Sequence, residues 1–388
     1  MTVTKRRTHH KSRLGCKNCK TRKIKCDEKK PSCSNCIRRK VDCDFTAVGT
    51  PQPSLSPTGL SMTDLELLHN YTTTTYLTLS ESPIIRQFYR DTVVQVGLEY
   101  DYIMRGVLAL SGLHLAHHRQ HIRDHYLAAA VTHHQAASQA TIPLVPNATP
   151  KNAQVLFLFS VLTTYYALGW PRKSDDTLLL RENAGFPDWV YLLRGTKGFI
   201  ELAGVPTGGP MAPLFSHSIA RFQLREGPEA SNSSANAALA ELEEVVARRP
   251  LEDEALRGVY MRAIAELKKS FGQAEACAAQ YEMADAFIWV FLMAEDLLPL
   301  LRTPTQEAVA IFAYFCVLLK KLDGHWWMQG WGAHLIAHAY DLLDDEGRLL
   351  IRWAVQEIGW VPPLATERLG GETSTYGNSQ EIAGTSTL

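Results

Sequence analysis

Hydrophobic positions recur at helical spacing along most of the chain, from about residue 61 to about residue 358. Leu, Ala and aromatic residues stand at positions i, i+3 and i+4, while the alternation typical of β-strands is almost absent. About 300 residues with this pattern can bury a large core. The pattern therefore predicts an all-α domain. Its predicted helices span residues 61–79, 83–97, 101–118, 122–140, 150–169, 187–203, 211–224, 237–248, 251–270, 275–299, 304–322, 328–343 and 346–358.

Stretches without this periodicity divide the chain. Residues 46–61 carry three prolines and no charged residue, which predicts a flexible linker. Ser61 and Asp64 then have the form of a capping box that opens the helical domain. The predicted order is an N-terminal domain (1–45), the linker (46–61), an all-helical domain (62–361) with a loop insert (225–236), and a Gly- and Thr-rich flexible tail (362–388).

Charge is distributed unevenly over these segments. The 388 residues carry 40 Lys and Arg and 40 Asp and Glu, so the formal net charge is zero. Residues 1–45 hold fifteen of the basic residues and four of the acidic ones, a charge of +11, which leaves −11 for the rest. A basic segment attached to an acidic domain indicates a polyanion-binding module joined to a domain that does not bind polyanions.

Membrane and export signals are weak. Residues 152–171 are uncharged, but they include Asn, Gln, Ser, Thr and Tyr, so a buried helix is favoured over a bilayer span. Residues 1–15 contain no apolar run that could direct export. We therefore expect a soluble intracellular protein without a membrane span. In that reducing setting Cys277 and Cys316 are interpreted as small buried hydrophobic residues.

Six of the eight cysteines lie in the first 43 residues, with the spacing C-x2-C-x6-C-x6-C-x2-C-x6-C. Six thiolates are too few for two independent four-cysteine zinc sites, but two tetrahedral ions can share them if two sulfurs bridge. A disulfide framework would need the secretory context that the N-terminus lacks. The spacing therefore predicts two Zn²⁺ ions per chain. The predicted ligands are Cys16, Cys19, Cys26, Cys33, Cys36 and Cys43.

The cysteine segment is an internal repeat, because residues 16–26 align with residues 33–43. We expect each half to be a C-x2-C turn followed by about two helical turns. Ile24 and Val41 occupy equivalent positions and are expected to pack between the halves. Because so small a unit has little other core, we expect the metal to supply most of the folding free energy. Binding of structural zinc contributes on the order of 10 kcal/mol in comparable peptides.

The spacing, with Lys and Arg after the second cysteine and Pro31 in the middle loop, resembles the fungal Zn2Cys6 binuclear cluster family. The resemblance implies that Cys16 and Cys33 bridge the two ions. It also implies a nuclear, zinc-dependent transcription factor of RNA polymerase II genes, whose N-terminal helix enters the major groove of double-stranded DNA over a CGG triplet. Carried over by position, Arg22 and Lys23 would approach bases, while Lys17, Lys20 and Lys25 would lie near phosphates.

The chemistry of the two halves agrees with that orientation. Guanine offers O6 and N7 to long cationic donors, and phosphate contacts hold the register. The second half has Ile37 and Asp42 where the first has Lys20 and Lys25, so the first half is favoured as the reading helix. The basic cluster at residues 5–7 is interpreted as a nuclear-import signal or a backbone-binding arm.

Three stretches of the helical domain, residues 105–116, 188–195 and 322–332, resemble fungal regulators related to the sterol uptake control protein. The resemblance implies a regulatory domain that binds a small apolar ligand (a sterol or a pathway metabolite) or a coregulator. It implies control of a fungal metabolic pathway, such as a secondary-metabolite cluster or sterol and lipid genes. A homodimer is a further expected partner. No heptad repeat follows the cysteines to set a half-site spacing.

Other features of the helical domain leave alternatives open. Its aromatic helices could line a lipid pocket or form ordinary core, and core is favoured. The Trp326, Trp327 and Trp331 group, near a predicted helix start, is either a functional loop or a packing anchor. Five histidines between His114 and His125 have helical spacing, but a turn expected near residues 119–122 favours solvated or hydrogen-bonded side chains over a metal site.

The sequence does not favour an enzyme. It contains no G-x-S-x-G, P-loop or G-x-G-x-x-G motif, and no nucleophile can be nominated. A different class of function is a zinc-stabilised scaffold or coregulator that acts through protein contacts. RNA binding is disfavoured because the cysteine segment lacks an aromatic stacking platform.

Overall fold

The fold is taken from a computed structural model, which describes residues 15–29, 32–39, 41, 43, 61–172, 198–202, 204, 206, 208–227, 233–250 and 253–362. The chain divides into two compact units, Met1–Leu65 and Glu66–Leu388. We call residues 15–43 of the first unit the cysteine head and the second unit the helical body. The basic arm, most of the predicted linker and tail, and the predicted helix before residue 198 lie outside the described residues.

Two short helices organise the cysteine head, α1 (Lys17–Thr21) and α2 (Ser34–Arg39). Lys23 ends α1 in the left-handed conformation, with φ of 56°. Its N–H donates to the Lys20 carbonyl at 3.1 Å, and the Ile24 N–H donates to the Cys19 carbonyl at 3.1 Å, which is a Schellman closure. The predicted two-turn helix carrying Arg22 and Lys23 is therefore wrong. The chain turns back after one helical turn, and this turn brings Cys26 to the other cysteines.

The interior of the head consists of its six cysteines, each at most 2% exposed. Ile24 and Val41 are 41% and 37% exposed, so their predicted packing between the two halves is wrong. The reason is that the sulfur atoms fill the space where the halves meet. The head therefore has a sulfur cluster in place of an aliphatic core.

Helices make up the described part of the chain beyond the head, where no strand occurs. The first of them begins with Ser61 Oγ accepting from the Asp64 N–H at 3.2 Å, as the predicted cap requires. The helices are α3 (Met62–Thr73), α4 (Pro83–Gln87), α5 (Val93–Glu99), α6 (Asp101–His118), α7 (Arg123–Thr141), α8 (Pro150–Gly169), α9 (Ala212–Arg225), α10 (Ser234–Arg248), α11 (Glu254–Cys277), α12 (Met283–Met293), α13 (Leu298–Arg302), α14 (Gln306–Lys320), α15 (Trp331–Leu342), α16 (Asp345–Leu350) and α17 (Arg352–Ile358). A π-helical turn, Phe88–Thr92, joins α4 to α5.

Helix α14 lies at the centre of the body, and every residue from Glu307 to Leu319 is buried. A helix that is apolar on all sides must be surrounded, and α14 packs against α11, α15 and α17. Trp289 of α12 stacks on Phe315 with ring centroids 5.0 Å apart. Its indole N–H donates to the Ala263 carbonyl at 2.9 Å. These aromatic residues are therefore core, as favoured by the sequence.

A second layer is formed by α6, α7 and α8, with α6 packed on both of its neighbours. A Cβ atom at Gly112 would lie 3.0 Å from the Ala130 Cβ and 3.1 Å from the Tyr126 carbonyl oxygen. Gly112 therefore permits the close approach of α6 and α7. The predicted bounds of two of these helices, 101–118 and 150–169, are confirmed.

The predicted helix over residues 275–299 is wrong. Helix α11 continues to Cys277, Ala278 takes a positive φ of 44°, and α12 starts only at Met283. The physical reason is a buried polar network that fixes the start of α12. There the Asp285 carboxylate accepts from the Gln273 amide at 2.7 Å and from the guanidinium of Arg221.

The predicted loop insert at residues 225–236 meets a helix at each of its ends. Arg225 is the last residue of α9, and its buried side chain donates to Ser270 Oγ at 3.2 Å and pairs with Glu266. Helix α10 begins at Ser234, where Ser233 Oγ accepts from the Asn236 N–H at 3.1 Å. The helix predicted to open near residue 328 begins at Trp331 instead, so Trp326 and Trp327 lie in a turn.

In the part of the chain that the structure describes, no helix combines the length and the apolar character needed to cross a membrane.

Candidate metal centre and nucleic-acid interface

The six head cysteines form two overlapping groups of four sulfur atoms. One group is Cys16, Cys19, Cys26 and Cys33, and the other is Cys16, Cys33, Cys36 and Cys43. Within each group all the sulfur atoms lie within 4.8 Å of one another. Cys16 and Cys33 belong to both groups, and their sulfur atoms are 3.7 Å apart.

These distances fit tetrahedral zinc. With Zn–S bonds near 2.3 Å, tetrahedral geometry places the sulfur atoms about 3.8 Å from each other. The Cys16–Cys36 and Cys19–Cys33 sulfur distances are 3.8 and 3.7 Å. All six residues are buried, so the protein encloses both groups. Both are suited to hold a structural ion without an open coordination position.

Backbone N–H groups point at the sulfur atoms. The Cys19 N–H donates to Cys16 Sγ at 3.4 Å at the start of α1. The Cys16 N–H donates to Cys26 Sγ at 3.4 Å, and the Cys33 N–H donates to Cys43 Sγ at 3.5 Å. Donors of this kind orient the ligands and spread the negative charge of metal-bound thiolates.

Burial and hydrogen bonds shift the pKa values of the head thiols in opposite directions. Burial raises the pKa of the Cys36 thiol to about 12. Burial opposes ionisation of Cys33 as well, but hydrogen bonds from Cys36, Cys16 and Cys19 outweigh it and lower the pKa of Cys33 to about 6. Six thiolates at these distances would repel one another strongly. Two Zn²⁺ ions remove that repulsion and release the thiol protons on binding.

Sequence reasoning missed the polar contacts that join the two halves of the head. The Asp27 carboxylate accepts from the Ser34 N–H at 3.1 Å and from the Ser34 hydroxyl at 2.5 Å, so it caps α2. The Asn35 amide donates to the Lys25 carbonyl at 2.9 Å. The available signal was an Asp directly after Cys26 paired with a Ser at the start of the next helix. These contacts hold the Lys25 segment against α2.

The five predicted DNA-contacting residues form one exposed basic stretch. Lys17 and Lys20 lie on α1, Arg22 and Lys23 lie at its C-terminal end, and Lys25 follows. All five side chains are exposed, and no acidic residue lies between them in the sequence. Because α1 ends at Thr21, Arg22 and Lys23 project from the turn after the helix. Such a surface supplies both point charges for phosphates and long donors for base edges.

The histidines of the helical body form no metal site among the described residues, since the only ligand groups there are the two cysteine groups. The predicted turn is present as a 3-10 helix, Gln120–Ile122. His114 is buried and bonds through Nδ1 to Thr75 Oγ1 at 2.9 Å, and its ring lies 4.7 Å from that of His118. The hydrogen-bonded interpretation is therefore right for His114.

Comparison with known proteins agrees with this geometry. Residues 14–48 match the family described as the fungal Zn(2)-Cys(6) binuclear cluster domain. A Zn(2)-C6 fungal-type transcription factor of Gibberella zeae is 25% identical over 410 residues, which cover 84% of this chain and 80% of that protein. The Zn(2)-C6 fungal-type transcription factor afumD of Aspergillus fumigatus is 30% identical over 129 residues, 29% of this chain and 34% of that protein.

The fold and the site thus define a cysteine head of the fungal Zn(2)-Cys(6) binuclear cluster type followed by a helical domain, and the chain as a whole is similar to fungal Zn2Cys6 transcription factors. Its head is a binuclear cluster domain that binds two zinc ions. The chain is a DNA-binding transcription regulator and not an enzyme. The further likeness to regulators related to the sterol uptake control protein stays a prediction.

Proposed function

We propose that the six head cysteines are the zinc ligands and that Cys16 and Cys33 each bind both ions. One ion takes Cys16, Cys19, Cys26 and Cys33, and the other takes Cys16, Cys33, Cys36 and Cys43. The observation that carries this proposal is the pair of four-sulfur groups that share these two residues. The S···S distance of 3.7 Å between the shared residues equals the edge of a zinc–sulfur tetrahedron within about 0.1 Å.

We further propose that the exposed stretch from Lys17 to Lys25 reads CGG-type sites in double-stranded DNA. Arg22 and Lys23 contact guanine O6 and N7, while Lys17, Lys20 and Lys25 contact phosphates. The support is the exposure of all five side chains and their position in the chain between and beside the buried cysteines. A rigid cluster fixes the direction of the turn that presents Arg22 and Lys23, so little conformational entropy is lost when they meet the bases.

The place of action follows from these assignments. We propose that the protein acts in the nucleus on RNA polymerase II genes of a fungal metabolic pathway, such as a secondary-metabolite cluster or sterol and lipid genes. The helical body then regulates the head through a small ligand or a coregulator, and a homodimer is the proposed assembly. The support for this role is that the helical body is a separate compact unit with a large hydrophobic core that contains no residue of the head.

A binding titration tests the DNA assignment. The zinc-loaded full chain is titrated with a CGG-containing duplex, a duplex with that triplet scrambled, and a structured RNA. We expect each mismatched base pair to weaken binding roughly tenfold, as for a directly read position. Zinc removal should abolish the preference. Equal affinity for both duplexes, or tighter binding of the RNA, would favour the scaffold or RNA-binding alternatives.

A further inference from the structure

The turn between α14 and α15 forms one wall of a surface cavity of about 130 Å³ on the helical body. Three indole N–H groups anchor this turn. Trp326 donates to Thr78 Oγ1 at 3.0 Å, Trp327 donates to the Thr78 carbonyl at 2.9 Å, and Trp331 donates to the Leu168 carbonyl at 2.9 Å. The polar edges of these rings are thus satisfied by the protein. Trp326 and Trp327 line the cavity, and neither has an indole N–H left to donate to a ligand.

Two glycines make room for the cavity walls. A Cβ atom at Gly169 would lie 2.8 Å from Cζ3 of Trp326, so only glycine lets the indole come this close. Gly330 has φ of 76°, and a Cβ atom there would lie 2.7 Å from an Arg172 guanidinium nitrogen. That guanidinium donates to the Gln329 carbonyl at 2.5 Å and lies 5.1 Å from the Trp331 ring centre. The turn between α14 and α15 and the end of α8 with the residues after it, which form the two walls of the cavity, are therefore held in defined positions.

The lining combines apolar surface with cations. Leu113, Leu168 and the indole rings supply the apolar part, while Arg123 and Arg172 supply the cations. Burial lowers the pKa of the neighbouring His117, which adds a neutral ring to the lining. No Asp or Glu is found among the described residues that line the cavity. Neither arginine forms an ion pair within the described part of the chain. Asp323, the acidic group that acts on Arg172, is already bonded to Lys320 and to the Gly330 N–H, both at 2.7 Å.

We propose that this cavity binds a small planar carboxylate with an apolar or aromatic body. A guanidinium recognises a carboxylate through parallel N–H donors, and indole rings favour a flat apolar group. The volume is close to that of cavities, about 150 Å³, that admit one benzene ring. The inference deepens the regulatory role proposed above for the helical body, because it names the chemical class of the effector. It departs from the sterol expectation, since a sterol is far larger than the cavity.

Calorimetric titration of the zinc-loaded full chain with benzoate is the direct test. A ligand of this size that fits the cavity should bind with a Kd on the order of 1 mM. Benzamide has the same shape without the charge and should bind at least about tenfold more weakly, because a charge-assisted contact is lost. Inorganic phosphate, which has charge without a ring, should not compete.

Variants locate the site. Arg172→Gln and Arg123→Gln should each raise the Kd for benzoate about tenfold or more. The control is Arg352→Gln, an exposed arginine of α17 outside the lining, which should leave the Kd unchanged. All three variants should retain two zinc ions and the unfolding midpoint of the parent chain within a few degrees. That check separates loss of a contact from loss of the fold.

Three results would overturn the proposal: no saturable binding of benzoate, equal binding of benzamide, or an equal loss in the Arg352→Gln control. The proposed DNA function fails separately. Benzoate binding without a preference for CGG would leave the cavity assigned and refute the DNA readout. A CGG preference without benzoate binding would refute only the cavity.

Discussion

Replacing Lys23 by glycine separates the stability of the head from its proposed reading of DNA. Lys23 has φ of 56°, and the left-handed region costs an L residue about 1–2 kcal/mol. Glycine removes this cost but loses about 0.5–1 kcal/mol through the greater freedom of the unfolded chain. The Lys23→Gly head should therefore be about as stable as the parent or more stable, by up to roughly 1.5 kcal/mol.

The same change removes the proposed contact to guanine. A good base-edge contact contributes about 1–3 kcal/mol of discrimination, which corresponds to a loss of roughly 5- to 150-fold in affinity at a CGG duplex. On a scrambled duplex the loss should be much smaller. Fluorescence anisotropy with the full chain measures both affinities, and the rate of zinc transfer to a chelator reports the stability of the head.

If Lys23→Gly releases zinc faster than the parent chain, the left-handed turn does not limit the stability of the head. If both duplexes lose affinity equally, Lys23 touches phosphate and not bases. Lys23→Ala serves as the matched variant, because it removes the amine while keeping a side chain in the left-handed conformation.

Three further predictions follow from individual contacts. Lys25→Ala should weaken binding to CGG and scrambled duplexes alike. It should also reduce the slope of the logarithm of the binding constant against the logarithm of salt concentration by about one unit, as expected for a single phosphate contact. A selective loss of affinity at the CGG duplex would contradict that role. Cys33→Ser should lower the zinc content below two ions per chain and abolish specific DNA binding, because both ions lose a bridging sulfur. The control Cys316→Ser lies outside the cluster and should keep both ions. Retention of two zinc ions by Cys33→Ser would exclude the bridge. Asp285→Asn should destabilise the helical body by about 3–5 kcal/mol in urea unfolding, because the buried Arg221 loses its charged partner. The control Asp101→Asn removes the exposed pair with Arg105 and should cost less than about 0.5 kcal/mol. Similar losses of unfolding free energy for the two variants would show that burial of Asp285 carries no energetic weight.

The parts of the structure that follow from local pattern could be predicted from the sequence. The cysteine spacing indicated two ions that share six thiolates, and the resemblance to the binuclear cluster family implied which residues, Cys16 and Cys33, belong to both groups. Helices α6 and α8 have the predicted bounds since each is a long, mostly apolar segment, and α8 starts at Pro150 directly after its N-cap Thr149. In such segments local propensity and tertiary packing agree.

The errors come from contacts between distant residues. The break after Cys277 depends on Asp285 meeting Arg221 of α9, and nothing near residue 278 in the sequence indicates a positive φ. The wrong prediction that Ile24 is packed inside the head came from treating the head as a small hydrophobic core, although its interior is sulfur. The cavity beside Trp326 could not be predicted, because it needs the closeness of Gly169 and the orientation of Arg172.

Selection of binding sequences from a random pool shows whether the zinc-organised head reads a CGG triplet in DNA. The zinc-loaded full chain is incubated with a pool of random duplexes, and the bound fraction is recovered and sequenced over several rounds. We expect enrichment of sites that contain CGG, and loss of all enrichment when zinc is removed by a chelator. Enrichment of an unrelated sequence, or enrichment that persists without zinc, would contradict it.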